Sequence, residues 1–270
     1  MIKIILKAYL NKIIPAKFRS RLRTIQKQIN YFGLMYKCPI CNSHLKLFLE
    51  DGVRAPVLKE KKVVGGGYRH KNLCPICGSL DRDRLLYLYL KHKTNIFDTP
   101  QKLLHIAPEA RVAAILGAKA SIVDYLTADL YSENVMVRMD ITDIQFPTDS
   151  FDAIICNHVL EHIIDDHKAI SELYRTLKPG GWAILQVPIS ISLNKTYEDF
   201  SITTKTGREE AFGQEDHVRI YAMDYKDRLA QAGFKVNVFK WVTDHNDFGG
   251  HKNIFGLNEE ECLFFVNKPV

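Results

Sequence analysis

No apolar run in these 270 residues approaches the length that spans a bilayer, and no segment repeats or falls into low complexity. That excludes an integral helical membrane protein and a solenoid. The start of the chain also lacks the clean apolar block and small-residue cleavage site of a secretory leader, because Lys7 and Lys12 interrupt it. Acidic residues are missing from positions 1–37 altogether, while Lys3, Lys7, Lys12, Lys17, Arg19, Arg21, Arg23, Lys27 and Lys37 crowd there. The net charge of +6 is therefore an arm of +9 on a body of −3. Glycine is absent from the turn Ala107-Pro108-Glu109-Ala110, where a strand runs into a helix and a nucleotide-binding βαβ unit normally places it.

What is present suits a soluble globular protein: 46% hydrophobic residues, 25% charged, and enough length for one large core with a smaller module attached. The six cysteines fall as two tight pairs, Cys38-Pro-Ile-Cys41 and Cys74-Pro-Ile-Cys77, plus the single Cys156 and Cys262. Paired cysteines of this kind in a reducing compartment serve a metal rather than disulfides, and the expected location is the cytoplasm. Each pair can place two thiolates on one ion, so Cys38, Cys41, Cys74 and Cys77 predict a tetrahedral zinc site. Four thiolates leave no open position, which makes the zinc structural. It replaces the core that the polar, glycine-rich 32 residues between the pairs cannot build. His44 and His70 are spare donors nearby, read as solvated, and Cys156 is read as a small buried apolar residue.

Three segments follow. In residues 1–36, Phe18, Leu22, Ile25, Ile29 and Phe32 recur at helical spacing among basic residues, which predicts an amphipathic helix after Pro15. It can pack on the cysteine module, lie on a membrane surface at the inner face, or contact nucleic acid. Residues 37–94 read as a zinc-ribbon-like module ending in a helix from Asp81 to about His92. Residues 95–270 alternate strand and helix. Strands are expected near 102–107, 123–129, 134–139, 151–156, 181–187, 234–241 and 262–266, with helices at 109–116, 166–177 and 222–232. The pattern predicts an α/β domain with a doubly wound, mainly parallel, seven-stranded sheet.

Within that domain, the stretch from Met139 to Pro188 carries Asp140 after the third strand, Asp149-Ser150-Phe151-Asp152 into the fourth, Leu160-Glu161-His162 beyond it, and a Leu177-to-Gly181 turn into the fifth. These motifs resemble class I S-adenosylmethionine-dependent methyltransferases, over about residues 102–266. The resemblance implies a Rossmann-like sheet with S-adenosylmethionine beyond its carboxyl edge. Asp129, 22 residues past Ala107, would grip the ribose. Asp140 would accept from the adenine amino group while Ile141 packs on the ring, and Asn157 and His158 would face the methionyl end. The family's first motif, an acid followed by G-x-G-x-G, falls on His105, Ala107, Glu109 and Arg111. Glu109 and Arg111 bring bulk to that turn, so the enzyme reading fails if Glu109 fills the methionyl volume.

The acceptor side is expected in the thirty or so residues after the fifth strand. Glu215, Asp216, His217, Arg219 and Tyr221 form a dense polar cluster there. His217 is the first choice for general base, oriented by Asp216 or Glu215, and His158 the second. Arg219 would bind an anionic acceptor or pair with Glu215. The reaction expected is methyl transfer to oxygen or nitrogen of a small molecule or sugar. A zinc knuckle before such a domain also looks like certain ribosomal-RNA guanine methyltransferases, so an RNA methyltransferase is one alternative; a body of net −3 without an aromatic-studded basic groove argues against it. A non-catalytic binding module with a degenerate cofactor site is the other.

Overall fold

Seven runs rich in Val, Ile, Leu and Phe pair into one sheet in the computed structural model of the chain, which describes residues 16–118 and 123–270. They are β1 (Lys102–Ile106), β2 (Val123–Asp129), β3 (Val137–Arg138), β4 (Phe151–Asn157), β5 (Leu177–Gln186), β6 (Lys235–Phe239) and β7 (Leu263–Asn267). Their order is β3-β2-β1-β4-β5-β7-β6. All neighbours are parallel except β7, which runs antiparallel to both β5 and β6. This is the doubly wound sheet expected from the alternation. Strand order reverses between β1 and β4, which opens a crevice at their carboxyl ends.

The longer helices are α1 (Ala16–Tyr31), α2 (Asp81–Lys93), α3 (Ala110–Gly117), α4 (Asp166–Thr176), α5 (Lys205–Phe212) and α6 (Tyr225–Gln231). Successive strand residues face opposite sides, so each face of the sheet builds its own core. Leu104, Ile154 and Leu185 meet Ile170 and Leu173 of α4 and Leu229 of α6. Leu103, Ile155 and Ile184 meet Leu85, Leu86 and Leu88 of α2 and Val112 and Leu116 of α3.

The cysteine segment lies along the same edge as the crevice. Its short ribbons pair Tyr36–Lys37 with His44–Leu45 and Leu49–Asp51 with Arg69–Leu73. Val63–Val64 then crosses to pair with Ile189–Ser190, just beyond the end of β5. Arg84 of α2 ties the pieces together. It is fully buried, and its guanidinium donates to the carbonyls of Lys71, Asn72, Ser79, Phe255 and Gly256. Five acceptors for five N–H groups satisfy a charge that would otherwise be costly to bury.

Two elements depart from the sequence expectation. The connection after β5 holds α5, whose N-terminus is capped by Thr204 accepting from the Gly207 N–H (3.1 Å) and whose end is turned by Gly213 at φ 92°. Eight residues carry too little periodicity to announce such a helix. In α1 the stripe does not pack on the cysteine module: Leu22, Ile25, Ile29 and Phe32 are all exposed, Ile29 by 73%. The helix end is held by the Lys46 N–H on the Tyr31 carbonyl (2.9 Å) and by Tyr31 packing against the cysteine cluster. The basic start of the arm, residues 1–15, lies outside the described residues. No helix among the described residues is long and apolar enough to cross a membrane.

Candidate active site

The turn after β1 settles where the two bulky substitutions go. Ala107 takes φ 46°, the left-handed conformation that glycine adopts without cost, and its N–H bonds the Ala128 carbonyl at 2.8 Å. Glu109 folds back beneath the turn. One carboxylate oxygen meets His105 Nε2 at 2.9 Å and the other accepts from Asn157 Nδ2 at 2.9 Å. His105 Nδ1 in turn meets the Tyr125 hydroxyl at 2.9 Å. Burial pushes the Glu109 pKa up, but the hydrogen bonds and the His105 charge outweigh it and hold the carboxyl below its ordinary range. Arg111 points the other way and donates Nε to the Cys77 carbonyl at 2.6 Å. Neither side chain lines the cavity in front of the turn.

That cavity, about 380 Å³, opens at the carboxyl ends of β1, β2 and β3. Its size is ordinary for a small-molecule site. Ala107, Asp129, Met139, Asp140, Ile141, His158, His162 and Asp216 are on its wall. Asp129 is oriented by accepting the Tyr131 and Ser132 N–H groups on Oδ1, each at 2.7 Å. Asp140 is oriented likewise by the N–H and hydroxyl of Thr142, each at 2.8 Å. Each aspartate spends one oxygen on its own loop.

A second cavity of about 230 Å³ lies on the far side of His158 and His162, which line both. One wall comes from the cysteine segment and the start of α2 (Asp51, Arg69, Asn72 and Arg82), the other from Glu161, Gln214 and His217. His158 sits at φ 56° with neither ring nitrogen hydrogen-bonded, and burial pushes its pKa well down. Glu161 is 2% exposed with one carboxylate oxygen unpartnered, and burial raises its pKa to about 8. His217 is 4% exposed, touches the Gln214 amide at 2.9 Å, and is pushed by burial down to about 4.

The residues singled out from sequence divide accordingly. Ala107, Asp129, Asp140, Ile141 and His158 meet on the first cavity; His105, Glu109 and Asn157 form the buried network behind it. His217 faces the second cavity, but its neighbours do not orient it. Asp216 meets His162 Nδ1 at 3.2 Å, and Glu215 pairs with Lys205 at 3.2 Å. Arg219 is fully buried against Glu198 (2.9 Å) and the carbonyls of Leu160 and Ile164, and Tyr221 donates to Asp166 at 2.5 Å. Both are structural. Sequence reasoning missed Asp51, Arg69, Asn72 and Arg82, because nothing in a polar loop signals that it will close over a crevice.

The four cysteines converge, with Sγ atoms 3.7 Å apart for Cys38 and Cys77 and 3.9 Å for Cys41 and Cys74. A tetrahedron with metal–sulfur bonds of about 2.3 Å has edges of about 3.8 Å. The cluster fits a four-thiolate ion. His44 and His70 are exposed, and His70 pairs with Glu50 instead.

Behind His158, the buried Glu261 accepts from Gln186 Nε2 (2.9 Å) with its other oxygen unpartnered, and burial raises its pKa to about 7. A raised carboxyl is neutral in the folded chain and charged when unfolded, so its stabilising effect is complete below about pH 4.5 and lost as pH rises through about 7. Glu261→Gln is expected to add about 3 kcal/mol at pH 8 and almost nothing at pH 4. Urea midpoints at the two pH values check this.

Comparison with known proteins follows the same outline. Residues 103–185 match the family described as "Methyltransferase domain". The match covers under a third of the chain. Its motif-bearing strands β1 to β5 are the part matched, and the sheet has the Rossmann-like methyltransferase fold. A demethylmenaquinone methyltransferase of Clavibacter sepedonicus is 41% identical over 49 residues, 18% of this chain and 20% of that protein. A ubiquinone/menaquinone biosynthesis C-methyltransferase of Idiomarina loihiensis is 32% identical over 77 residues, 27% of this chain and 31% of that protein. The chain thus spans a third or less of these curated relatives. Among solved structures, Burkholderia thailandensis 1,6-didemethyltoxoflavin-N1-methyltransferase has a TM-score of 0.47 at 14% identity, covering 70% of this chain and 78% of that one.

Proposed function

We propose that the chain transfers a methyl group from S-adenosylmethionine to a hydroxyl of a small polar acceptor, a sugar being the class the second cavity suits. One observation carries this reading: a cavity with two oriented strand-end carboxylates shares the wall His158–His162 with a cavity lined by charge and amide. The first suits an adenosyl group. Asp129 accepts from the ribose hydroxyls, Asp140 from the adenine amino group, and Ile141 packs on the ring. Ala107 keeps the turn small, and His105 and Asn157 hold Glu109 out of the methionyl volume. When bound, the cofactor supplies an electrophilic methyl. The second cavity positions the acceptor, since its amides and carboxylates match hydroxyls rather than the apolar body of a quinone.

Proton removal falls to His158. It lies on both cavities with Nε2 unpartnered and Nδ1 3.5 Å from the Glu161 carboxylate, whereas His217 lines the acceptor cavity alone. We assign structural zinc to Cys38, Cys41, Cys74 and Cys77. It holds in place the segment that supplies Asp51, Arg69 and Asn72 to the acceptor wall. The test is incubation with methyl-labelled S-adenosylmethionine and a panel of mono- and oligosaccharides. Label on a sugar hydroxyl, lost in His158→Ala, supports the reading. Label in RNA instead moves the chain to the nucleic-acid alternative, and absence of cofactor binding moves it to a binding module.

We further propose that the arm lies on an anionic membrane surface. The exposed stripe Leu22, Ile25, Ile29 and Phe32 is flanked by Arg21, Arg23 and Lys27, with no acid before residue 38. Full-length protein is expected to float with anionic but not zwitterionic liposomes. Ile25→Glu with Ile29→Glu should abolish flotation. Unchanged flotation in that variant refutes the proposal.

A further inference from the structure

Three side chains on the polar cavity carry no proton or group in the scheme above. Glu161 and His162 stand together on the turn Leu160–His162, and His217 arrives from the loop after α5. Each brings a ligand atom within 4.8 Å of the other two. We propose that Glu161, His162 and His217 form a divalent-cation site, separate from the four cysteines and open to the acceptor cavity.

Two imidazoles and one carboxylate are the donor set of a borderline first-row cation, and three protein ligands leave coordination positions for oxygen donors. The surroundings fit that role. Glu161 is 2% exposed, yet one of its carboxylate oxygens has no hydrogen-bond partner. A buried carboxylate oxygen left so is costly in its charged form, and a cation would satisfy it. Asp216 meets His162 at Nδ1 (3.2 Å), which leaves Nε2 for the ion; a carboxylate behind an imidazole is how metal-bound histidines are oriented. His217 is met at Nε2 by the neutral amide of Gln214 (2.9 Å), a contact an ion displaces at small cost. Of the positive charges on the cavity wall, Arg69 is paired with both oxygens of Asp81, at 2.7 and 2.8 Å, while Arg82 donates Nη1 to the Gly65 carbonyl at 2.9 Å, leaves Nε unpartnered and keeps its charge near Glu161.

Glu161, His162 and His217 all line the acceptor cavity. Open positions on the ion therefore face the volume where an acceptor would sit. An acceptor with adjacent oxygens, a vicinal diol or a 2-hydroxy acid, would chelate it and present one hydroxyl beside His158. That last step rests on the methyl-transfer reading; the ion site itself does not.

The deciding measurement is zinc content by mass spectrometry after equilibration with micromolar zinc and gel filtration. Wild type is expected to hold one equivalent more than His217→Asn. The cysteine-bound equivalent should be unchanged in the variant, as shown by its loss only on reaction of the thiols. Asp216 is largely exposed, so Asp216→Asn leaves folding untouched and is expected to weaken the additional equivalent about tenfold or more. Equal zinc in wild type and both variants overturns the proposal. Calorimetry with S-adenosylmethionine on the same preparations keeps the two readings apart: an additional ion without cofactor binding leaves the site standing and removes the methyltransferase assignment, while cofactor binding without the ion does the reverse.

Discussion

Asp129→Ala is expected to weaken S-adenosylmethionine binding about a hundredfold, measured by calorimetry, with little change in the melting temperature of the unliganded protein. The carboxylate stands at the carboxyl end of β2, where it can accept both ribose hydroxyls. Hydrogen bonds to a charged acceptor contribute about 1.5–3 kcal/mol each. Losing two costs about 3 kcal/mol, or a factor of about a hundred. Asp129 also orders its own loop through the Tyr131 and Ser132 N–H groups, so part of any loss could arise from a disordered loop. Asp129→Asn separates the two contributions. It keeps an acceptor for the backbone donors while removing the charge, and an intermediate affinity is expected. Unaltered binding in Asp129→Ala would sink the proposed cofactor pocket.

The second large effect concerns the thiolates. Cys74→Ser is expected to release the cysteine-bound metal and to lower the melting temperature by roughly 10 °C, since a loss of several kcal/mol shifts a chain of this size by that order. Scarcely any other core supports the segment: Leu45 and Phe48 are the buried residues beside the cysteines in that cluster. Two consequences should part company. The Asp129–Asp140 pocket is built by β1 to β3, so cofactor binding should survive. The acceptor wall depends on Asp51, Arg69 and Asn72, so methyl transfer should fall far more than cofactor affinity does. Equal losses in both would mean that the cysteine segment shapes the cofactor pocket directly, for instance through Arg111 on the Cys77 carbonyl.

Much of this molecule is legible from local pattern. Strand and helix periodicity placed β1, β2, β4 and β7 within a residue or so of their observed limits, because strands inside a sheet covered on both faces are rich in apolar residues. Paired Cys-Pro-Ile-Cys turns announced a four-thiolate cluster, since two such turns have few other ways to satisfy four sulfurs. The acids after β2 and β3 could be found by counting, because a strand of known length delivers its last residue to a known edge.

Other features needed the assembled chain. Whether Glu109 blocks the crevice depended on partners 4 and 48 positions away, His105 and Asn157, which hold its carboxylate beneath the turn. The orienting carboxylate Asp216 chose His162 over its own neighbour His217, and Arg219 chose Glu198 over Glu215. The acceptor cavity joins residues near 51–82, 158–162 and 214–217, brought together by the crossing of Val63–Val64 onto Ile189–Ser190. Periodicity and spacing report what one element does to its own residues. Which distant charge a buried side chain meets is a matter of burial and long-range packing, and no short window of sequence holds that information.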